Sequence, residues 1–302
     1  MPGDTIVGVV EDSLGPRTRF DLNFRVGDIP VRVHPFFWLS TVLLGLDLKR
    51  PGIDKLTYLL VWAAVLFVSI LVHELGHILM GRYFGSRGHI LLTGFCGLAI
   101  GSAELPERWQ RNAVSLAGPG AGFLLAGIVG AVAWSVYPDY TLFALGFLIR
   151  IIVSIDPDAV IPEPLLGHAI FILLWVNIFW GLVNLLPIWP LDGGQVCREV
   201  CQKYRGRDGV HTSLIISIAT AAGIAVLALI EIMMKKPLVP FLSFGQSWFA
   251  VLFFGLLAAG SWQLLRHVRR VGPNWDQQDE EPRAPWEQDA DWWKHGGGAW
   301  RD

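Results

Sequence analysis

The amino-acid sequence predicts an all-α polytopic membrane protein with about six transmembrane helices and a small membrane-associated β-sheet. Three observations carry that expectation. Apolar residues fill 53% of the 302 positions and charged residues only 17%, against roughly 25% charged in soluble domains, and mean hydropathy is +0.46. The apolar residues gather in runs near the ~20 residues that a helix needs to cross ~30 Å of hydrocarbon. Lys and Arg gather on alternate sides of those runs, as the inner loops of membrane proteins require.

Taken in order, the first 30 residues hold Asp4, Glu11, Asp12, Asp21 and Asp28 and no apolar run, so no cleavable signal peptide is expected. Residues 1–34 read as a cytoplasmic segment with a short strand, because 20–33 partly alternates apolar with polar. The run 35–46 is apolar but short, and spans only if the bilayer thins or flanking residues are borrowed. Full-length runs follow at 56–80, 112–136, 166–186, 212–234 and 247–265. Between the first two of these, 89–100 leans toward strand, with Gly94 and Gly97 able to turn a hairpin. The stretch 141–155 is apolar but short and carries Arg150, and it reads as interfacial or re-entrant.

Residues 35–266 thus form a polytopic domain, and 267–302 an acidic, Trp-containing disordered cytoplasmic tail. Its tryptophans (Trp275, Trp286, Trp292, Trp293 and Trp300) mark a candidate partner or interfacial contact. With both termini inside, the inner segments hold 18 Lys and Arg and the outer loops six, which supports a multi-pass protein of the cell membrane in that orientation. Net charge is −2, and the residues before the tail carry no marked basic excess, so nucleic acid is not an expected partner; the lipid bilayer is. Cys96, Cys197 and Cys201 are too few and too unevenly spaced for a disulfide framework and are expected to be reduced and structural.

The chemistry-bearing residues stand out against this apolar ground. SILVHELGHILM sets His73, Glu74 and His77 in one helix. Imidazoles at i and i+4 share a helix face and can reach one Zn²⁺, and a Glu beside them can accept a proton from water. By composition the pattern is expected about 0.007 times in this chain, so chance is a poor explanation. As mere glue between helices it would be costly, at about 2.5–3.5 kcal/mol for each ionisable group in a span.

A catalytic zinc usually has three protein ligands, and Asp192 in NLLPIWPLDGG is the candidate third. Alone it reads as an ordinary Asp-Gly turn. The charge count, however, runs both helices from outside to inside, so Asp192 falls on the same side of the bilayer as the His pair. Pro187 and Pro190 break the helix there, and irregular backbone at that depth must be buried in protein or line a wet cavity. Asn184, an amide in an apolar span, either hydrogen-bonds a substrate carbonyl or ties down the broken backbone. Gly193 is a second candidate for substrate positioning. His34, His89, His168 and His211 read as boundary residues, and the glycines of LAGPGAGF permit close approach of a helix or ligand.

These residues resemble the site-2 protease family of intramembrane zinc metalloproteases. The resemblance rests on HELGH in one span, AGPGAG in a later one, NLLPIWPLDGG at the end of another, and RVGDIPVRVHPFFWL leading into the first; it covers residues 26–194. It implies that His73, His77 and Asp192 hold one Zn²⁺ per chain, that Glu74 is the catalytic base, and that transmembrane proteins are the substrates. Gly122 departs from the family, which often carries Asn a few residues after Gly-Pro. Neither a PDZ-like insertion nor a CBS domain in the tail is expected from these residues.

Other classes make different demands. A prenyl-protein-type metalloprotease also uses HExxH but has no need of Asp-Gly-Gly after a broken helix. A zinc-binding transporter would spread polar groups through several spans, and a catalytically silent scaffold would not need Glu74.

Overall fold

The computed structural model describes residues 18–45, 54–94, 96–101, 105–139, 141, 164–206, 208–235 and 248–271. In chain order they form β1 (Leu22–Val26), β2 (Ile29–Val33), α1 (Pro35–Gly45), α2 (Lys55–Tyr83), β3 (His89–Thr93), β4 (Cys96–Ile100), α3 (Arg108–Val136) and α4 (Pro164–Trp175). There follow a π-helical segment (Val176–Trp180), α5 (Gly181–Asn184), α6 (Asp192–Arg205), α7 (Asp208–Met234) and α8 (Trp248–Val271).

Among the described residues, five helical stretches are long and apolar enough to cross a bilayer: α2, α3, Leu165–Asn184, α7 and Trp248–Arg270. α1 has 11 residues and rises only about 16 Å at 1.5 Å per residue, too little to cross unaided. Against the expected "about six", the described residues supply five plus one short helix. Side chains on the outer faces of these helices are apolar and open: Leu124 is 66%, Leu252 64% and Leu256 72% exposed. In water such faces would associate; in hydrocarbon they need no cover. The chain is a multi-pass integral membrane protein.

Both strand-leaning stretches join one four-stranded sheet of order β1-β2-β3-β4, so the N-terminal segment contributes two strands where one was expected. β1 and β2 are antiparallel, β2 and β3 parallel, and β3 and β4 antiparallel, with Thr93 opposite Cys96. Gly94 at that turn has φ +55°, the left-handed region that glycine adopts without cost. Alternation directs Ile29, Val31, Val33, Ile90 and Leu92 to one face, where they pack on Phe37 of α1 and on Ile70 and Ile78 of α2. The sheet is thereby fastened to the half of α2 that carries the histidines, with β4 at its edge.

α2 begins at Asp54, whose carboxylate accepts the Thr57 N–H at 3.0 Å, satisfying one of the free donors of the first turn. The fourth apolar run is not one regular helix. Asn177, buried in the π-helical segment, donates to Leu173 O and to Ser69 Oγ of α2, both at 2.9 Å, so its side chain holds a carbonyl of the preceding turn where the α-helical ladder gives way. After α5 the chain turns through residues 185–191 and re-enters helix at Asp192. Val183 and Ile188 there pack on Ala221, Ile224 and Ala228 of α7 and on Ala250 and Phe254 of α8. Beyond Thr141, the stretch 141–155 lies outside the described residues. α8 runs on to Val271, past residue 267 where the tail was expected to begin; the rest of the tail lies outside the described residues.

Candidate metal centre

His73, Glu74 and His77 lie six to ten residues before Tyr83, the last residue of α2, about 9–15 Å inside that end of the helix. The i, i+4 spacing stacks the imidazoles edge to face with ring centroids 4.8 Å apart. His77 Nδ1 lies 2.7 Å from the carbonyl oxygen of Val114 on α3. A carbonyl only accepts, so Nδ1 carries the proton and Nε2 is the ring nitrogen left to face the other candidate groups. It faces His73 Nε2 at 3.1 Å and Asp192 Oδ1 at 3.3 Å, and Asp192 Oδ2 is 3.1 Å from His73 Nε2.

Two ring nitrogens and a carboxylate thus converge on one point. Around a tetrahedral zinc with bonds of ~2.0–2.1 Å, neighbouring ligand atoms stand about 3.3 Å apart. The donor set and its separations fit that ion, and the Nδ1 hydrogen bond is the outer contact that metal-binding histidines usually make. The ligating atoms of His73, Glu74 and His77 also lie within 4.8 Å of one another, but the Asp192 oxygens are nearer to both imidazoles. Of the two carboxylates, that of Asp192 lies 3.1 and 3.3 Å from the two imidazole nitrogens, and that of Glu74 stands beside the cluster. Glu74 is 5% exposed, whereas the His73 side chain is 12% exposed, so His73 is the more open side of the cluster.

Glycines make this convergence possible. A Cβ at Gly118 would fall on the His77 and His73 imidazoles, so the AGPGAG segment leaves room for the rings. A Cβ at Gly97 would fall on the Glu74 carboxyl; β4 therefore crosses directly against that side chain, and the Ala99 backbone hydrogen-bonds it. Gly193 and Gly194 lie against the backbone of Leu185, Leu186 and Ile188, which lets α6 start close under the end of α5.

The 185–191 turn is held by side chains of α7 and α8. Ser217 Oγ of α7 accepts the Trp189 N–H at 2.9 Å and donates to Pro187 O at 3.3 Å, and Ser261 Oγ of α8 donates to Trp189 O at 3.3 Å. Arg198 lies over the Trp189 ring, 5.3 Å from its centre. The last two helices, whose role was not apparent from their composition, thus anchor the turn that delivers Asp192. A serine in an otherwise apolar span was the available signal.

Of the six candidate residues, four come together: His73, Glu74, His77 and Asp192. Asn184 is buried at the end of α5, and Gly193 sits against backbone. At Gly122, where the family often has Asn, a Cβ would lie 3.4 Å from Asn177 Oδ1, so an amide from the π-helical segment borders that space. His34 Nδ1 accepts the Phe36 N–H at the start of α1, and His211 accepts from Arg269. Cys197 and Cys201 are free thiols with sulfurs 4.0 Å apart.

Residues 61–230 match the profile of a family described as peptidase family M50. A Synechocystis sp. protein named as a zinc metalloprotease is 34% identical over 61% of this chain and 45% of its own length. A zinc metalloprotease of Methanocaldococcus jannaschii is 28% identical over 61% of this chain and 46% of its own length. The chain therefore spans less than half the length of these relatives. The solved structure of a site-2 protease from Methanocaldococcus jannaschii is 22% identical, covers 82% of this chain and 97% of that one, and has a TM-score of 0.49.

Proposed function

The chain belongs to peptidase family M50, and from that premise we propose that it is an intramembrane zinc metallopeptidase. It cleaves peptide bonds in or near the transmembrane segments of membrane-anchored proteins. The observation that carries this reading is the convergence of His73, His77 and Asp192 on one point inside a helical membrane domain, with the Glu74 carboxyl beside it.

His73, His77 and Asp192 hold one zinc ion. Bound there, zinc supplies Lewis acidity, lowering the pKa of water to about 7 and polarising a carbonyl. Glu74 takes a proton from the attacking water on a carboxylate oxygen and delivers it to the amide nitrogen as the C–N bond breaks. Burial of Glu74 limits competing exchange with bulk water.

A transmembrane substrate hides its carbonyls in its own helix and must unwind before attack. The β4 edge, lying against Glu74 through Gly97, offers a strand on which an extended segment can be held. Asn184 contributes its amide to a substrate carbonyl, and Gly193 acts indirectly, through the turn that carries Asp192.

Residues 35–266 form the protease domain. Both termini face the cytoplasm at the cell membrane, and the acidic tail beyond α8 is a site for a partner, following the distribution of Lys and Arg and the tail's tryptophans.

The test is cleavage of single-span substrates by the purified protein in proteoliposomes. Chelation abolishes cleavage and zinc restores it. Zinc movement across the membrane without cleavage would favour a transporter, and stoichiometric zinc without cleavage of any substrate a scaffold.

A further inference from the structure

We propose that the Arg111–Glu199 ion pair is a positioning clasp that sets the depth of Asp192 in the metal centre. This rests on the reading of Asp192 as a zinc ligand and adds residues that no motif singles out. Asp192, Gln195 and Glu199 stand at i, i+3 and i+7 of α6, which puts them on one helix face. Gly118, Ser115 and Arg111 repeat the same offsets on α3 in the opposite direction.

The two rows meet rung by rung. At one end Gly118 leaves room for the imidazoles that face Asp192. In the middle Ser115 Oγ donates to Gln195 Oε1 at 3.5 Å. At the other end Arg111 Nε and Nη2 donate to the two oxygens of Glu199 at 2.8 and 2.9 Å. Arg111 Nη1 further donates to Leu105 O at 2.6 Å and Pro106 O at 3.1 Å, which ties the guanidinium to the chain leading into α3.

A fork-to-fork pair fixes direction as well as distance. Asp192 is the first residue of α6, so sliding that helix by one residue moves its carboxylate by about 1.5 Å, whereas metal–ligand distances tolerate ~0.2 Å. The same helix α3 supplies the Val114 carbonyl that orients His77. One helix thereby gauges two ligands that are far apart in sequence, and the clasp locks the second to it. Arg111 touches neither metal nor substrate; it acts through Asp192.

The test is zinc affinity of the full-length protein in detergent, measured by competition with a chromophoric chelator. Melting of the metal-stripped protein is followed alongside. Arg111→Gln and Glu199→Gln each weaken zinc about tenfold, toward the lower end of what outer contacts contribute. The double variant is no weaker than either single one, because both remove the same interaction. Arg111→Glu combined with Glu199→Arg recovers most of the affinity. Two patterns overturn the clasp alone: wild-type affinity in Arg111→Gln beside a weakened Asp192→Asn, or a lowered melting temperature with unchanged zinc affinity. Wild-type affinity in Asp192→Asn overturns the ligand reading together with the clasp.

Discussion

The carbonyl oxygen of Val114 accepts a hydrogen bond from Nδ1 of His77 at 2.7 Å, and this contact decides which imidazole nitrogen faces Asp192. With Nδ1 donating to Val114, Nε2 is left to face a carboxylate oxygen at 3.3 Å, and one cation can bind both. Zinc should therefore stabilise the fold. At free zinc 1,000-fold above Kd the gain is about 4 kcal/mol. The check is a melting temperature that falls on chelation, rises again with zinc, and no longer responds in His77→Ala.

Gly118 and Gly120 separate space from flexibility as the reason for the glycines of this segment. A Cβ at Gly118 would collide with both imidazoles, whereas a Cβ at Gly120 meets nothing within 4 Å. Gly118→Ala is expected to lose zinc and cleavage together. Gly120→Ala keeps both, and its helix gains rather than loses stability, since Ala is favoured over Gly by about 1 kcal/mol in a helix interior. Zinc content by elemental analysis checks the pair.

The three atoms nearest to a Cβ at Gly97 all belong to the proposed base. A methyl group there displaces the Glu74 carboxyl, so Gly97→Ala should keep stoichiometric zinc while kcat falls about 100-fold, the lower end of what a positioned proton-transfer group contributes. Equal loss of zinc and rate would mean that β4 supports the metal site instead.

Ser217 is the hydrogen-bond partner of both Trp189 and Pro187. Ser217→Ala leaves the half-buried Trp189 N–H without that acceptor, at a cost of about 1 kcal/mol. Lower thermal stability is expected, with faster zinc release than in a variant of a lipid-facing residue such as Leu256→Ala.

The sheet supplies a pH test away from the metal. Burial pushes the Asp21 carboxyl up, but hydrogen bonds from Thr18 and Arg32, and the Arg32 charge, carry it below its ordinary 3.8. A depressed folded-state value means that the stabilisation is complete above about 3.8 and is lost as pH falls through the lowered value. Asp21→Asn should melt earlier than wild type at neutral pH, and the gap should close on acidification below about pH 4.

The parts of this molecule that were legible in the sequence are those governed by local pattern. Each full-length apolar run reappears as a candidate span because its length must match the bilayer. His73, Glu74 and His77 were legible because i, i+4 spacing alone brings the imidazoles together. Asp192 needed the topology as well, since only the sidedness of the spans brings it to α2. The Ser217 contacts and the Arg111–Glu199 pair were not legible. They join residues 28 to 88 positions apart, and each is a common residue type with no spacing of its own to announce it. The π-helical turn at Asn177 was hidden for a similar reason, because apolar composition does not distinguish a widened turn from a regular one. The short α1 was visible as an apolar run, yet hydropathy could not say whether it crosses.

Glu74 moves the proton in a site whose zinc is held by other residues, so Glu74→Gln separates proton transfer from metal binding. Zinc content and cleavage of a single-span substrate are measured on the same purified samples. Stoichiometric zinc is expected in the variant, with cleavage reduced by 100-fold or more, roughly the scale of general acid–base catalysis. Cleavage at the wild-type rate with zinc still bound would contradict that role of Glu74.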